Sequence, residues 1–117
     1  MVLVDTSVWV DHLRDGNPKL EQMLLDGDVI CHPFVIGELA CGNIKHRKEV
    51  LYLMESLPAC RIATQNEFLR FVETHNLMGK GVGFVDVHLL VSAKASDYLL
   101  WTADKALQTV ASLLNLS

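Results

Sequence analysis

A chain of 117 residues, half of them hydrophobic and 21 % charged, suits one compact domain (residues 1–117) and leaves no room for two. Those proportions exclude a disordered chain, and a net charge of −4 argues against a simple basic nucleic-acid binder. No apolar run approaches the ~18 residues of a membrane span. The first residues read as a strand carrying an acid, not as the basic start and apolar stretch of a signal peptide.

Val2-Leu-Val4 reads as a short buried strand, stopped by the charge of Asp5. Thr6 and Ser7 follow as a turn with two hydroxyls, and Val8-Trp-Val10 resumes the apolar pattern. Asn17 and Pro18 cap and open a helix through Leu20, Met23 and Leu24, ended by Gly27. Val29-Ile-Cys31 is a second strand. Pro33 opens a second helix through Ile36 and Leu39 that stops near Gly42. The dense basic cluster Lys45-His-Arg-Lys48 leads into a third, with Val50, Leu51, Leu53, Met54 and Leu57 inward and Pro58 as its close. Cys60-Arg-Ile-Ala63 is a further strand candidate. Thr64 and Glu67 have the spacing of a capping box for a helix with Phe68, Leu69 and Val72 buried.

Gly79-Lys-Gly-Val-Gly83 lacks the spacing of a phosphate loop and reads as a flexible turn. A long apolar helix follows from near Phe84 to Ser96. Tyr98-Leu-Leu-Trp101 is the last strand, and Thr102-Ala-Asp104 caps a final helix with Val110, Ala111, Leu113 and Leu114 facing the core. Strands and helices alternate, the crossovers are long, and the strands are continuously apolar. Those features predict an α/β fold, a three-layer α/β/α sandwich with a mainly parallel sheet. Cys31, Cys41 and Cys60 are far apart in apolar company, which predicts buried free thiols in a reducing cytoplasm rather than disulfides or a zinc site.

Most of the 14 acids sit in polar company, but Asp5, Glu38 and Asp86 interrupt apolar runs and Asp104 follows the last strand. A lone buried carboxylate is expensive unless protonated or paired, and no lysine or arginine lies inside those runs. Each has an ordinary explanation. Asp5 and Asp104 could cap helices, and Glu38 and Asp86 could sit on exposed helix edges. Topology favours a shared role, because residues that follow parallel strands gather along one sheet edge. Carboxylates gathered there suit Mg²⁺ or Mn²⁺, and such a site promotes in-line attack of water on a phosphodiester. No Ser-His-Asp or Cys-His constellation is readable. Ser7 has no oriented histidine, and His88, two residues past Asp86 on a helix, points elsewhere.

Four motifs carry a resemblance: Val-Asp-Thr-Ser-Val-Trp at 4–9, Ile-Gly-Glu-Leu at 36–39, Gly-Phe-Val-Asp-Val-His-Leu-Leu at 83–90 and Leu-Trp-Thr-Ala-Asp-Lys at 100–105. In order, spacing and total length the chain resembles PIN-domain ribonucleases, specifically the VapC-type toxins of toxin–antitoxin pairs. The resemblance implies that Asp5, Glu38, Asp86 and Asp104 form a metal-binding catalytic centre, supported through hydrogen bonds by Ser7 and Thr102. It implies Mg²⁺- or Mn²⁺-dependent cleavage of RNA, often transfer RNA. It also implies a homodimer and a small VapB-like antitoxin that blocks the site and, in complex, binds promoter DNA. Without the four acids the chain has no net charge, and Lys45, Arg47, Lys48 and Lys80 are then candidates for the RNA backbone. So few contacts predict modest affinity and a shallow salt dependence.

Three other readings compete. A response-regulator receiver needs paired acids after its first strand, and Thr6 follows Asp5 here. A phosphatase beginning Asp-x-Asp is ruled out by Ser7 in the third position. A PIN scaffold that binds RNA or a partner without cutting is the remaining alternative, and the intact acids argue against it.

Overall fold

Three short apolar runs lie side by side at the centre of the molecule. The computed structural model describes residues 1–117. Its strands are β1 (Val2–Val4), β2 (Val29–Ile30) and β3 (Leu99–Trp101), all parallel, in the order β2-β1-β3. Val2 pairs with Val29 on one side and Leu99 on the other, which fixes the register of the central strand. Leu3 and Val4 point to opposite faces of the sheet, yet both are fully buried. Both faces are therefore covered, as the three-layer α/β/α expectation requires.

The helices are α1 (Thr6–Asp15), α2 (Pro18–Leu25), α3 (Pro33–Cys41), α4 (Arg47–Glu55), α5 (Gln65–His75), α6 (Phe84–Ser96) and α7 (Lys105–Leu113). Local chemistry sets several boundaries. The Asn17 side chain accepts from the Leu20 amide at 3.0 Å to start α2, with Pro18 at its first position. Thr64 and Glu67 form the reciprocal capping box of α5, and Arg61 holds Glu67 from outside with contacts of 2.7 and 3.0 Å. In α6 the residues from Val87 to Ala93 are all buried, which makes it the central helix of the core. No helix is long and apolar enough to cross a membrane.

Several details differ from the sequence expectation. Residues after Asp5 form a helix of 10 residues, not a turn. Its β-branched Thr6, Val8 and Val10 disguise it at the level of propensity. The burial of Val8 and Trp9, with His12 and Leu13 half-buried, has the helical period. Cys60–Ala63 is not a strand. A lone parallel bridge joins Cys31 to Ala59, with Cys31 N–H donating to Pro58 at 2.8 Å and Cys60 N–H to Cys31 at 2.8 Å. Pairing stops there because the next donor would come from Pro33, which has no N–H and already opens α3. Leu53, Leu69 and Leu113, expected inside, are exposed. Of the cysteines Cys31 is buried, but Cys41 is exposed and Cys60 half-buried, and all are free thiols.

The two classes of leucine give a direct test. Leu3→Ala, in the fully buried centre of the sheet, is expected to cost about 2–5 kcal/mol in urea unfolding followed by tryptophan fluorescence. Leu69→Ser, on the exposed side of α5, is expected to stay within about 0.5 kcal/mol of the native chain.

Candidate acidic centre at the sheet edge

Asp5 leaves the carboxyl end of β1, and its amide donates to the Trp101 carbonyl at 2.9 Å, tying that end to β3. It stands immediately before α1 but its side chain caps no amide there. Instead Oδ2 accepts two hydroxyls, Ser7 Oγ at 2.8 Å and Thr102 Oγ1 at 2.7 Å. Those hydroxyls are fixed in turn. Ser7 Oγ accepts from the Ala103 amide at 3.0 Å, and Thr102 Oγ1 from the Asp104 amide at 3.0 Å. Asp5 is the buried member of the set, at 5 % exposure.

The other acids are each held by one donor, local for Asp86 and Asp104 and from α1 for Glu38. Asp104 Oδ1 accepts from the Leu107 amide at 3.0 Å and so caps α7. Asp86, in the first turn of α6, accepts the Gly83 amide on Oδ2 at 3.0 Å. Glu38, on α3, accepts the Thr6 hydroxyl on Oε1 at 2.6 Å. Thus Asp86 is half-buried, while Glu38 and Asp104 are exposed, less enclosed than their apolar neighbours in sequence suggest. Burial raises the Asp86 carboxyl above its usual value. The Gly83 amide opposes that, and the charges of Asp5, Asp104 and Glu38 add to it. Asp86 thus feels the charge of acids from three other segments of the chain.

None of the four takes part in an ion pair. The pairs lie elsewhere, Arg14 with Asp11 and Asp15, His46 with Glu49 and Arg61 with Glu67. Every acid of the set also keeps one carboxylate oxygen to which the chain gives no donor: Asp5 Oδ1, Glu38 Oε2, Asp86 Oδ1 and Asp104 Oδ2. In this arrangement no three ligand-type side chains converge tightly enough to grip an ion. The donors hold each acid by one oxygen, and no countercharge offsets the repulsion among them.

The basic residues are dispersed. Lys45 lines a groove with Val10, Leu13 and Arg14 beyond the first turn of α1, and Arg47 donates to the Ala40 carbonyl at 2.9 Å. Lys48 lies on α4 with Glu49 and Tyr52. Lys80 sits with Leu77, Val110 and Leu113, toward the end of α7 opposite Asp104. His88 points away from the acids, as its position predicts, and is buried among Phe34, Phe68 and Phe84. His32 Nδ1 accepts the Phe34 amide at 3.0 Å, and burial, with His88 nearby, pushes its pKa down to about 4. Sequence reasoning gave Thr6 no role. The available signal was a hydroxyl beside Asp5, but its partner lies 32 residues away.

Comparison with known proteins agrees with this architecture. The PIN domain family matches residues 2–113. Ribonuclease VapC32 of Mycobacterium tuberculosis, in two strains, is 47 % identical over 109 residues, covering 92 % of this chain and 88 % of that protein. Ribonuclease VapC1 of Thermoplasma acidophilum is 35 % identical over 99 residues, covering 80 % of this chain and 47 % of that protein. A family match that runs from β1 to the end of α7, with close to half the residues shared with a VapC protein over most of both chains, places this chain in the PIN-domain family as a VapC-type member.

Proposed function

We propose that the protein is an endoribonuclease toxin that hydrolyses RNA phosphodiester bonds with Mg²⁺ or Mn²⁺ at Asp5, Glu38, Asp86 and Asp104. The observation that carries this reading is the set of four acids, three of them acting on Asp86, with no lysine or arginine paired to any of them. The donor set fits a hard cation, because all the uncommitted atoms are carboxylate oxygens. When bound, such an ion supplies an activated water and offsets the charge that builds on the phosphate.

The chain's own groups orient the acids. Ser7 and Thr102 hold Asp5 by one oxygen and leave the other without a donor, and Thr6, the Gly83 amide and the Leu107 amide do the same for Glu38, Asp86 and Asp104. Ser7 is engaged with Asp5 and Ala103 and has no imidazole beside it, which leaves water as the attacking group. An RNA phosphate approaching these acids alone is repelled, so binding and cleavage both depend on the cation. By kinship with proteins named VapC, the reading extends to transfer or other structured RNA as substrate and to a homodimer in the cytoplasm. It also extends to a VapB-like antitoxin whose complex, not this chain alone, binds promoter DNA.

Cleavage of a fluorescently labelled RNA tests the assignment. Asp5→Asn and Asp86→Asn are expected to lose more than the ~10–100-fold typical of a residue that only supports a ligand, and Thr102→Val to fall within that range. Cutting by the native protein at an undiminished rate in EDTA would sink the metal dependence.

Stability gives an independent check. The Asp86 pKa is raised in the folded state. Its contribution is therefore fully present below the ordinary aspartate value and is lost as pH rises through the raised one. In EDTA at pH 7, Asp86→Asn is expected to melt higher than the native protein. The gain should vanish once the pH falls below the ordinary aspartate range. A melting difference that ignores pH would show that Asp86 does not feel the other acids.

A further inference from the structure

At the N-terminal ends of α3 and α6, the helices that carry Glu38 and Asp86, stands a group of aromatic rings that the hydrolytic chemistry does not use. Phe84 opens α6, two residues before Asp86, and Phe34 lies in the first turn of α3, four residues before Glu38. Positions four apart share a helix face, with Cβ atoms about 5–6 Å apart. The two rings stack at 5.9 Å between centroids and 25° between planes. Phe68 tilts against Phe84 at 5.1 Å. Underneath, the buried His88 ring meets Phe34 at 4.8 Å, Phe68 at 4.7 Å and Phe84 at 4.7 Å. Its Nδ1 has no hydrogen-bond partner, and the ring serves the group by packing against all three phenylalanines. Phe84 is nonetheless 56 % exposed. It is a large ring, fixed from below and open from above, on the same helical turn as one of the acids. Trp101, the other aromatic at this sheet edge, differs in having Lys19 Nζ over its ring at 4.9 Å.

We propose that Phe84, backed by Phe34, is the stacking site for an unpaired RNA base next to the bond that is cut. The inference rests on the ribonuclease reading above and adds the group that positions the substrate. Stacking on an aromatic face suits any base but requires that base to be free of its own stack, so the site selects loops and single strands over duplex. It also answers a physical need. With the centre acidic and few basic residues to meet the backbone, phosphate contacts hold RNA weakly, and a base stacked on Phe84, whose ring rests on Phe34 of the Glu38 helix, holds it without charge.

The test is an abasic scan. Single-turnover cleavage is measured on a single-stranded RNA and on versions lacking one base at a time, with the native protein, Phe84→Leu and Phe84→Trp. For the native protein, removal of one base beside the cut is expected to lower kcat/KM about tenfold, within the range for stacking of a single base. Phe84→Leu should lose the same factor on intact RNA and become indifferent to that missing base, and Phe84→Trp should restore both. Equal sensitivity to the missing base in Phe84→Leu and native protein overturns the proposal. So does a shift of Phe84→Leu to a different oligomeric state, which would assign this face to a second copy of the chain.

If the native protein cuts no RNA with either metal, the ribonuclease reading fails by itself. The stacking site is then judged by quenching of 2-aminopurine in a single-stranded RNA with Mn²⁺ present. Quenching by the native protein and its loss in Phe84→Leu support the site, and equal signals overturn it. Should Phe84→Leu not fold, the native protein's response to each missing base decides alone. A drop at one base beside the cut supports the site, and a flat scan overturns it.

Discussion

Four carboxylates without a basic partner, three of them acting on the fourth, must be stabilised by something other than countercharge, and the fold does this with dipoles. Asp86 lies in the first turn of α6 and Asp104 immediately before α7, so the positive ends of two helices face them. Each also takes a backbone amide there, a charge-assisted bond. Asp5, the most enclosed, accepts two hydroxyls on a single oxygen. Glu38 lies well inside α3, away from its N-terminus, and is served by the Thr6 hydroxyl instead. Dipoles lower the cost of the negative charges without cancelling it. A lysine in the same place would neutralise the centre and leave no reason for a cation to enter.

This constraint explains why so small a sheet suffices. Strands of two or three residues do little for stability by pairing alone, but they end together. Asp5 and Thr102 leave neighbouring strands on the same edge, and their side chains meet across 97 positions of sequence. The Asp5 amide to Trp101 carbonyl bond extends the β1–β3 ladder by one step and sets the spacing at which the Thr102 hydroxyl reaches the carboxylate. Gly81 plays a similar part at the loop before α6. Its φ of +79° and the approach of the Ala106 side chain to within 3.4 Å of where a Cβ would stand let that loop lie against the start of α7, beside Asp104.

Much of this was legible in the chain because the relevant signals are local. Apolar runs interrupted by single acids, Pro18 and Pro33 at helix starts, and the Thr64–Glu67 spacing all act within a few residues. The failures were of two kinds. In α1 and at Cys60–Ala63, β-branched residues misled, since strand propensity competes with helical periodicity in the first and no partner strand exists for the second. At Leu53, Leu69 and Leu113 the periodic stripe is wider than the surface available to cover it. Long-range features left no signal at all. The Thr6–Glu38 bond joins residues 32 apart, and the exposure of Phe84 depends on α3 and α5 meeting α6. The enclosure of the acids was overestimated because apolar neighbours in sequence lie on other faces of the same helices.

On the proposed reading, metal and RNA are linked ligands of one charged edge. Without a cation the field of the four acids opposes a phosphate. With one it attracts the phosphate, and the phosphate in turn adds negative charge and oxygen ligands around the ion. Each therefore strengthens the binding of the other by the same factor, as linkage requires. The open arrangement of the acids belongs to this scheme, since a centre that gripped an ion tightly by itself would gain little from substrate. Dispersed lysines and a base held by an uncharged ring complete it, because discrimination then comes from the RNA's shape and unpaired bases rather than from general attraction to its backbone.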